Sequence, residues 1–380
     1  MKQLKVAIVG CGVVAAKHLR AIQSLKKAYR LCAVVDARPE AAVSLLKRFK
    51  LSGGGSSAIS VYDTVSTMLE ECSPDLVAVT TPSGSHYSIA LASLNAGCHV
   101  LVEKPLTLDL KEARHLLAVA EQQGLQIAVG HIYRFFPLVG LLRDDLRSGR
   151  FGRLFYGDVK VRWGHDQAYY DQAAWRGTWH ADGGALMNQS IHALDLMTWL
   201  LGQPVERVSG WIDRQAHVME AEDFGLAMLQ LANGVYCQLE GTTNTDPKQQ
   251  EASFYICGSD GEIRAGIRAG KPYVKVRDRS GRRLTRHYLW RYVKALLRTA
   301  GPAGFAQLKN PHTGLYRDLA DAISQHRPPL ADGRSGLLAV EQVLAIYQSA
   351  LTGQAVQLPL ADFQLQDMSE ALPLRPPEKS

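Results

Sequence analysis

Two domains of different classes are predicted by the sequence: a doubly wound α/β domain at residues 1–130, and an α+β domain at residues 131–380 with a large, mostly antiparallel open sheet. Three observations give this prediction. At 380 residues the chain is longer than one ordinary domain. Short apolar runs alternate with helical stretches in the first part of the chain. Longer segments, in which apolar and polar residues alternate, make up much of the rest.

The first domain is predicted from five apolar runs that are separated by helical stretches. The runs are LKVAIVG, LCAVVD, DLVAVTT, HVLVEKP and QIAVG, and the helical stretches are AAKHLRAIQSL, EAAVSLLKRFK, HYSIALASLNA and LKEARHLLAVAEQQG. Continuous β-branched runs between helices are typical of a parallel sheet that is covered on both faces. The Gly/Ser-rich stretch at 51–60 has few apolar side chains to pack, so it is expected to be a surface loop.

The second domain is predicted from strands that are joined by turn sequences. The strands are RLFYGDVKVRWG, VERVSGWID, FGLAMLQLANGVYCQLEGTTN, EASFYICGSDGEIRAG and KPYVKVRD, with hairpin turns at Ala-Asn-Gly and Ser-Asp-Gly. Three helical stretches are GGALMNQSIHALDLMTWLLG, GLYRDLADAISQH and GLLAVEQVLAIYQSALTG. The C-terminal tail EALPLRPPEKS is expected to be disordered or loosely docked.

The composition is that of an ordinary globular protein, with 46% hydrophobic and 21% charged residues. No apolar run approaches the ~20 residues that span a bilayer, and the N-terminus lacks the pattern of a secretory signal, so a cytoplasmic location without integral membrane association is expected. The six cysteines lie far apart without CxxC spacing, which predicts free thiols and no metal site.

The positive charge is concentrated in one segment. Residues 264–309 contain 13 Lys or Arg against one acid, a charge of +12, so the rest of the chain carries 7 − 12 = −5. No nucleic-acid-binding motif accompanies this charge, so no nucleic-acid partner is predicted and a solvated face is favoured. Within the segment, LWRYVKALLRTAG has the pattern of a basic amphipathic helix, and contact with a membrane surface or an anionic substrate stays open.

The first predicted strand ends in the GxGxxA form of a dinucleotide-binding turn, residues 10–15. Such a turn lets a pyrophosphate approach the backbone and the N-terminus of the following helix. The residues expected to bind it are Gly10, Gly12, Val13 and Val14. Asp36 closes the second predicted strand, where a carboxylate binds ribose hydroxyls and disfavours a 2′-phosphate, so NAD is predicted over NADP. Arg38 leaves NADP possible.

Two further features have both a structural and a functional interpretation. Lys104 ends a predicted parallel strand, at the edge where doubly wound sheets bind ligands, although a surface charge is the alternative. Asn188, His192 and Asp195 have the spacing of one helix face on an otherwise apolar helix. They either bond within the core or face a polar cleft.

Several motifs together resemble the Gfo/Idh/MocA family of oxidoreductases over nearly the whole chain. Besides the GxGxxA turn they are TPSGSH at 81–86, AGCHVLVEKP at 96–105, YRFFP at 133–137, WRGTW at 175–179 and GGALMNQSIHALD at 183–195. The resemblance implies that a Rossmann domain binds the dinucleotide and that the second domain binds substrate and forms the oligomer. It also implies that the polar face meets a cleft.

The resemblance also implies roles for individual residues. Lys104 and His192 would flank the nicotinamide and the substrate hydroxyl, and Asn188, where the family commonly has Asp, would orient rather than act as a base. The adenosine and pyrophosphate would meet Thr81, Pro82 and His86, and the nicotinamide would meet Glu103, Lys104, Trp175 and Arg176. The substrate would contact Lys104, Arg134, Asn188, His192 and Tyr316.

These implications predict an NAD-dependent oxidoreductase that acts on a secondary hydroxyl, or the matching ketone, of a sugar. The motifs most resemble the branch that oxidises C3 of UDP-N-acetylglucosaminuronate, so a nucleotide sugar is a candidate substrate. Two alternatives stay open: an NADPH-dependent ketoreductase on a keto-sugar nucleotide, and a non-catalytic sensor that binds a dinucleotide. A homodimer or homotetramer is expected.

Overall fold

A computed structural model describes residues 3–51, 59–300, 310–361 and 363–369. The chain forms two compact units. The first comprises Met1–Thr107, Lys111–Phe135 and Phe305–Leu337, and the second comprises Leu108–Leu110, Phe136–Gly304 and Leu338–Ser380. Most of the Gly/Ser-rich stretch predicted as a loop and all of the predicted tail lie outside the described residues.

The first unit contains a six-stranded parallel sheet with the order β3-β2-β1-β4-β5-β6. Its strands are β1 Leu4–Val9, β2 Tyr29–Val35, β3 Ser60–Tyr62, β4 Leu76–Val79, β5 His99–Val102 and β6 Ile127–Val129. The doubly wound α/β prediction is confirmed. β3 was not predicted, because three residues are too few to show a periodic pattern.

Helices cover both faces of this sheet. They are α1 Ala15–Ser24, α2 Pro39–Arg48, α3 Val65–Cys72, α4 His86–Asn95 and α5 Leu110–Gln122, with short 3₁₀ helices at Ser83–Ser85 and Ile132–Phe135. Successive side chains of β1 enter different cores: Val6 and Ile8 pack with α1 and α2, and Ala7 and Val9 pack with α3, α4 and α5. This alternation explains why the strands are apolar at every position.

Residues from near the C-terminus complete one of these cores. Helix α10, His312–Gln325, places Leu315, Tyr316 and Leu319 fully buried in the core that contains α1. The sequence prediction had assigned this stretch to the second domain. The structure groups it with the first unit, because its apolar face packs against α1, a contact between residues that are distant in sequence.

The second unit contains an eight-stranded sheet with the order β13-β12-β11-β7-β10-β9-β8-β14. Its strands are β7 Leu154–Arg162, β8 Val205–Asp213, β9 Phe224–Leu231, β10 Tyr236–Thr242, β11 Glu251–Gly258, β12 Gly261–Arg268, β13 Lys271–Asp278 and β14 Val356–Gln357. β7 and β10 pair in parallel, and the other neighbours pair antiparallel. The predicted, mostly antiparallel sheet is therefore confirmed.

The helices of the second unit include one of an unusual type. They are α6 Pro137–Arg147, α7 Gln167–Asp171, a π-helix at Ala185–Ser190, α8 Ile191–Leu201, α9 Thr285–Ala300 and the greater part of α11 Gly333–Thr352, with 3₁₀ helices at Pro247–Gln249 and Leu365–Met368. The sequence predicted a single α-helix across 183–202. In the structure its first part is the π-helix, whose wider turn changes the direction of side chains relative to an α-helix.

Part of the predicted basic amphipathic segment forms α9 and is anchored by an ion pair. Arg291 donates from Nη2 to Oδ1 of Asp145 at 3.0 Å, and the hydroxyl of the buried Tyr288 also bonds to this carboxylate. Trp290 on the same helix is 61% exposed. In the described part of the chain, no helix has the length and apolar composition to cross a membrane.

We expect that adding a methyl group by a Gly→Ala substitution destabilises the fold at Gly10 and has little effect at Gly12. Gly10 has a φ of +90°, and a Cβ there would lie 2.8 Å from Thr81 N. Gly10→Ala should therefore lower the free energy of unfolding by about 1–3 kcal/mol, because it combines backbone strain with a clash. Urea unfolding of the protein without added cofactor measures this.

Gly12→Ala is the matched control, because a Cβ at Gly12 meets nothing within 4 Å among the described atoms. Its unfolding free energy should stay within about 0.5 kcal/mol of that of the unmodified protein. Equal losses in both variants would contradict the steric explanation.

Candidate functional site

The glycine turn is tied to the end of the second strand by Asp36. Its Oδ2 accepts a hydrogen bond from Cys11 N at 2.8 Å, and its Oδ1 accepts one from Arg38 N at 2.9 Å. Val13 is 88% exposed at the beginning of α1, and no side chain in the described ranges caps this helix at Val14. The first N–H groups of α1 are therefore not used by a side-chain cap, which suits an anionic ligand.

His86 connects the segments that follow strands β4 and β5. Its Nδ1 lies 2.7 Å from Pro105 O and its Nε2 lies 3.0 Å from Thr81 O. Both partners are carbonyl oxygens, which only accept hydrogen bonds, and burial lowers the pKa of His86 below its ordinary value. His86 was expected to line the dinucleotide. In the structure it is buried and fixes Thr81 and Pro105, the neighbour of Lys104.

Glu103 is the centre of a buried polar cluster. Its Oε1 lies 2.8 Å from His18 Nε2 and 3.2 Å from His312 Nε2, and Lys104 N donates to its Oε2 at 3.3 Å. Burial alone would raise the pKa of Glu103, but the hydrogen bonds from the two histidines hold it well below its ordinary value. Glu103 is therefore ionised, although it is buried.

Two residues that were predicted to contact substrate are buried in the first unit. Tyr316 has no exposed surface, and its hydroxyl lies 3.0 Å from His18 Nδ1. The expected contact of Tyr316 with a sugar does not fit this placement, because its polar end is used inside the core. Arg134 is 7% exposed and donates from Nη1 to Leu330 O at 2.8 Å.

In the second unit, Asn188 lies on the π-helix and its amide is held at both ends. Its Nδ2 donates to Oδ1 of Asp182, and its Oδ1 accepts a hydrogen bond from Gln189 Nε2 at 3.2 Å. Asn188 and His192 are both partly exposed, whereas Asp195 is buried. The π-helix ends between Asn188 and His192, so a spacing of 3.6 residues per turn does not relate these two side chains. His192 and Asp195 both lie on the following α-helix, where that spacing applies.

Trp175 and Arg176 belong to a layer of aromatic rings and one cation. The Arg176 guanidinium lies 4.1 Å from the ring centre of Tyr169 and 4.8 Å from that of Trp175. Tyr169 also stacks on His165, with ring centres 3.6 Å apart. Burial lowers the pKa of His165 to about 4, so its Nε2 accepts a hydrogen bond from Gln189. Tyr169 and His165 were not predicted, because nothing in their local sequence distinguishes them from core aromatics.

The beginning of the π-helix rests on Glu222, which has no exposed surface. The Glu222 carbonyl accepts from Ala185 N at 2.9 Å, and its Oε1 accepts from Leu186 N at 2.8 Å and from the Tyr347 hydroxyl at 2.9 Å. Burial raises the pKa of Glu222 to about 8. Near pH 7 it is thus mostly a neutral acid beneath the residues that lead to Asn188 and His192.

The predicted site residues divide between the two units. The first unit contains those of the glycine turn, the strand ends and the Glu103 cluster, namely Gly10, Gly12, Val13, Val14, Asp36, Arg38, Thr81, Pro82, His86, Glu103, Lys104, Arg134 and Tyr316. The second unit contains Trp175, Arg176, Asn188 and His192. Each group includes one predicted catalytic side chain, Lys104 or His192.

Comparisons with known proteins match both units. The model of a family described as "Oxidoreductase family, NAD-binding Rossmann fold" matches residues 4–131, and that of the "GFO/IDH/MocA C-terminal domain" matches residues 140–264. The rhizopine catabolism protein MocA of Rhizobium meliloti is 32% identical over 204 residues, which are 53% of this chain and 59% of that protein. D-Glucoside 3-dehydrogenase of Escherichia coli (strain K12) is 26% identical over 380 residues, covering 93% of this chain and 97% of that protein.

A solved structure with similar architecture is the WlbA dehydrogenase from Bordetella pertussis in complex with NADH and UDP-GlcNAcA. It superimposes with a TM-score of 0.82 at 29% sequence identity, over 94% of this chain and 99% of that chain.

We expect the stability of the protein to fall as pH rises because of Glu222. Its pKa is about 8 in the folded state against 4.5 ordinarily, so between these values the unfolded chain is ionised while the folded chain holds the proton. The folded state then loses up to about 1.4 kcal/mol per pH unit from this group. Glu222→Gln should remove this loss, so its stability relative to the unmodified protein should increase from pH 5 to pH 8.

Urea unfolding at several pH values in this range measures the effect. Glu70→Gln is the control, because Glu70 is an exposed carboxylate on α3. A stability difference for Glu222→Gln that does not change with pH would show that Glu222 is ionised in the folded state.

Proposed function

The chain belongs to the GFO/IDH/MocA oxidoreductase family, and from this premise we propose that it is an NAD-dependent dehydrogenase of a sugar. It moves a hydride between the nicotinamide and a secondary hydroxyl, or the matching ketone. The observation that carries this proposal is its likeness, over 94% of the chain, to a dehydrogenase that was solved with NADH and a nucleotide sugar. Retention of both Lys104 and His192 favours an enzyme over a non-catalytic sensor.

The residues of the first unit fit a dinucleotide. The backbone at Gly10 passes so close to Thr81 that a Cβ has no room, and the N-terminus of α1 has no side-chain cap among the described residues. Gly10, Gly12, Val13 and Val14 would hold the pyrophosphate, and Asp36 the adenine ribose. A carboxylate at the position of Asp36 disfavours a 2′-phosphate, which supports NAD, and Arg38 is the residue that would bind the 2′-phosphate of NADP instead.

We assign the proton transfer to His192 and the polarisation of the reacting oxygen to Lys104. Oxidation of a hydroxyl requires a group that takes its proton as the hydride leaves, and a partly exposed imidazole is suited to this. A cationic Lys104 stabilises the developing alkoxide charge. The two roles are exchangeable in principle, because a desolvated lysine also acts as a base. The nicotinamide, when bound, supplies the hydride chemistry.

Asn188 orients in this scheme and does not act as a base. An amide does not titrate, and both ends of the Asn188 side chain are held by Asp182 and Gln189. Trp175 and Arg176 are proposed to contact the nicotinamide, since their layer with Tyr169 presents a flat aromatic and cationic surface.

For the substrate class we propose a UDP-sugar, with a uronate as the first candidate. The neighbour from Bordetella pertussis was solved with UDP-GlcNAcA, and the +12 charge of residues 264–309 suits an anionic ligand. Of the cations in that segment, Arg291 already pairs with Asp145. Reduction of a keto-sugar nucleotide with NADPH is the second candidate, because the same residues serve the reverse reaction.

We also propose a homodimer or homotetramer that works in the cytoplasm. Strands of the second unit leave large apolar side chains exposed, including Trp211 at 64% and Tyr236 at 46%. Exposed apolar residues on a sheet favour contact with another subunit. All six cysteines are free thiols, as in proteins of reducing compartments.

We expect Lys104→Ala and His192→Ala each to lower turnover at least about a hundredfold, the loss typical of removing an acid–base group. Cofactor binding should persist in both variants, as measured by NADH fluorescence. Lys47→Ala and His115→Ala are matched controls, because both residues are exposed and lie outside the two groups and the basic segment. Near-normal turnover of His192→Ala on the true substrate would refute its role.

The substrate class is tested by thermal unfolding of the NAD-loaded protein. UDP-sugars, with and without a uronate carboxylate, should raise the melting temperature, because binding to the folded state stabilises it by about 2.7 kcal/mol at a hundredfold excess over Kd. Inositol and glucose at the same concentrations should have little effect. The opposite ranking would reject the nucleotide sugar and leave the family assignment intact, and absence of turnover across a broad sugar panel would favour the sensor.

A further inference from the structure

Glu103, His18 and His312 form a buried polar cluster in the first unit. Glu103, His18 and His312 come from three distant parts of the sequence, and all three are buried. Both imidazoles approach the same carboxylate oxygen, Oε1, at 2.8 and 3.2 Å. A carboxylate oxygen only accepts hydrogen bonds, so each of the two Nε2 atoms must carry a proton if Glu103 is ionised.

The second nitrogen of His312 is also a donor, because Asn310 fixes its partner. Asn310 donates from Nδ2 to Lys17 O at 2.8 Å, which identifies the other end of the amide as oxygen. That oxygen, Oδ1, lies 3.1 Å from His312 Nδ1. His312 Nδ1 must therefore donate to Asn310 Oδ1. With both ring nitrogens donating, His312 is an imidazolium.

His18 has a different arrangement. Its Nδ1 lies 3.0 Å from the Tyr316 hydroxyl, which can donate, and its Nε2 donates to Glu103. Burial lowers the pKa of His18, which agrees with a neutral ring. The cluster then contains one cation, His312, and one anion, Glu103. Lys17, beside His18 on α1, and Lys104 are the other charged groups nearby in sequence.

We propose that Glu103, neutral His18 and protonated His312 form a charge-neutral cluster that positions Lys104 and keeps the Glu103 charge from increasing the proton affinity of Lys104. This inference rests on the proposed function for the importance of Lys104. Lys104 N donates to Oε2 of Glu103, so the carboxylate orients the peptide that carries the lysine. Because the His312 cation compensates the Glu103 charge, the cluster carries no net charge beside the peptide of Lys104. His18, Glu103 and His312 act here as positioning residues.

The same three residues are also close enough to surround a metal ion, since their ligand atoms lie within 4.8 Å of one another. The distances between these atoms instead indicate direct hydrogen bonds, with protons and not a metal ion between them. The His18 and Glu103 atoms are 2.8 Å apart, the length of a direct hydrogen bond. Ligands at ~2.1 Å from a zinc ion in tetrahedral geometry lie farther apart than this.

The protonation state is measured by ¹⁵N NMR of histidine side chains in the intact protein at pH 7.5, which needs no substrate. His312 should show two protonated ring nitrogens, and His18 should show one, at Nε2. His312→Gln assigns the signal. Asn310→Ala provides a second route if that variant does not fold, because removing the acceptor of Nδ1 should reduce the number of protonated His312 ring nitrogens from two to one. A neutral His312, or stoichiometric zinc in the purified protein by mass spectrometry, would overturn the proposal.

The effect on Lys104 is measured by NMR titration of ¹³C-methylated lysines, with Lys104→Arg for assignment. His312→Gln leaves the Glu103 charge uncompensated, so the Lys104 titration should move up by about one pH unit, a tenfold gain in proton affinity. In the double variant Glu103→Gln/His312→Gln, the Lys104 titration should return to the value of the unmodified protein. A merely structural role of the cluster predicts no shift of this titration in the single or the double variant. These results do not depend on turnover, so they are independent of whether Lys104→Ala confirms the proposed reaction.

Discussion

A carboxylate inside a protein must be compensated by charge, saturated with hydrogen bonds or protonated, and the elements that carry the proposed catalytic residues depend on this constraint. Glu103 meets it through two histidines and remains ionised beside the peptide of Lys104. Glu222 meets it by keeping a proton under the π-helix that precedes His192. A buried glutamate thus supports each unit, ionised in the case of Glu103 and neutral in the case of Glu222.

Neighbouring residues in the second unit illustrate how environment decides the charge. Burial has the largest effect on Glu222 and keeps it protonated, whereas Asp223 accepts hydrogen bonds from the backbone of Gln215, Ala216 and His217. Burial would raise the pKa of Asp223, but these bonds and the His217 ring hold it far below its ordinary value. Asp223 thereby closes the loop before β9 as an anion, while Glu222 stays neutral beneath the π-helix. Two adjacent acids therefore perform different structural tasks.

Two residues that were predicted to contact ligands form hydrogen bonds inside the first unit. His86 and Tyr316 were expected to meet ligands, yet their polar atoms bond to Thr81, Pro105 and His18 inside the first unit. Both still bear on the proposed site, because they fix the strand ends or the histidines that support Lys104. The residues of these motifs therefore divide into those whose polar atoms bond within the first unit and those that stay predicted ligand contacts.

The sequence by itself determined the two domain classes, the glycine turn with Asp36, the position of Lys104 after a parallel strand, and the family resemblance. Each of these depends on local spacing, which a linear pattern preserves. Only the tertiary structure decided that α10 packs with the first unit, that a π-helix carries Asn188, and that Glu103 meets His18 and His312. Those contacts join residues 85 and 209 positions apart, so their geometry and the resulting protonation states arise only when the chain has folded.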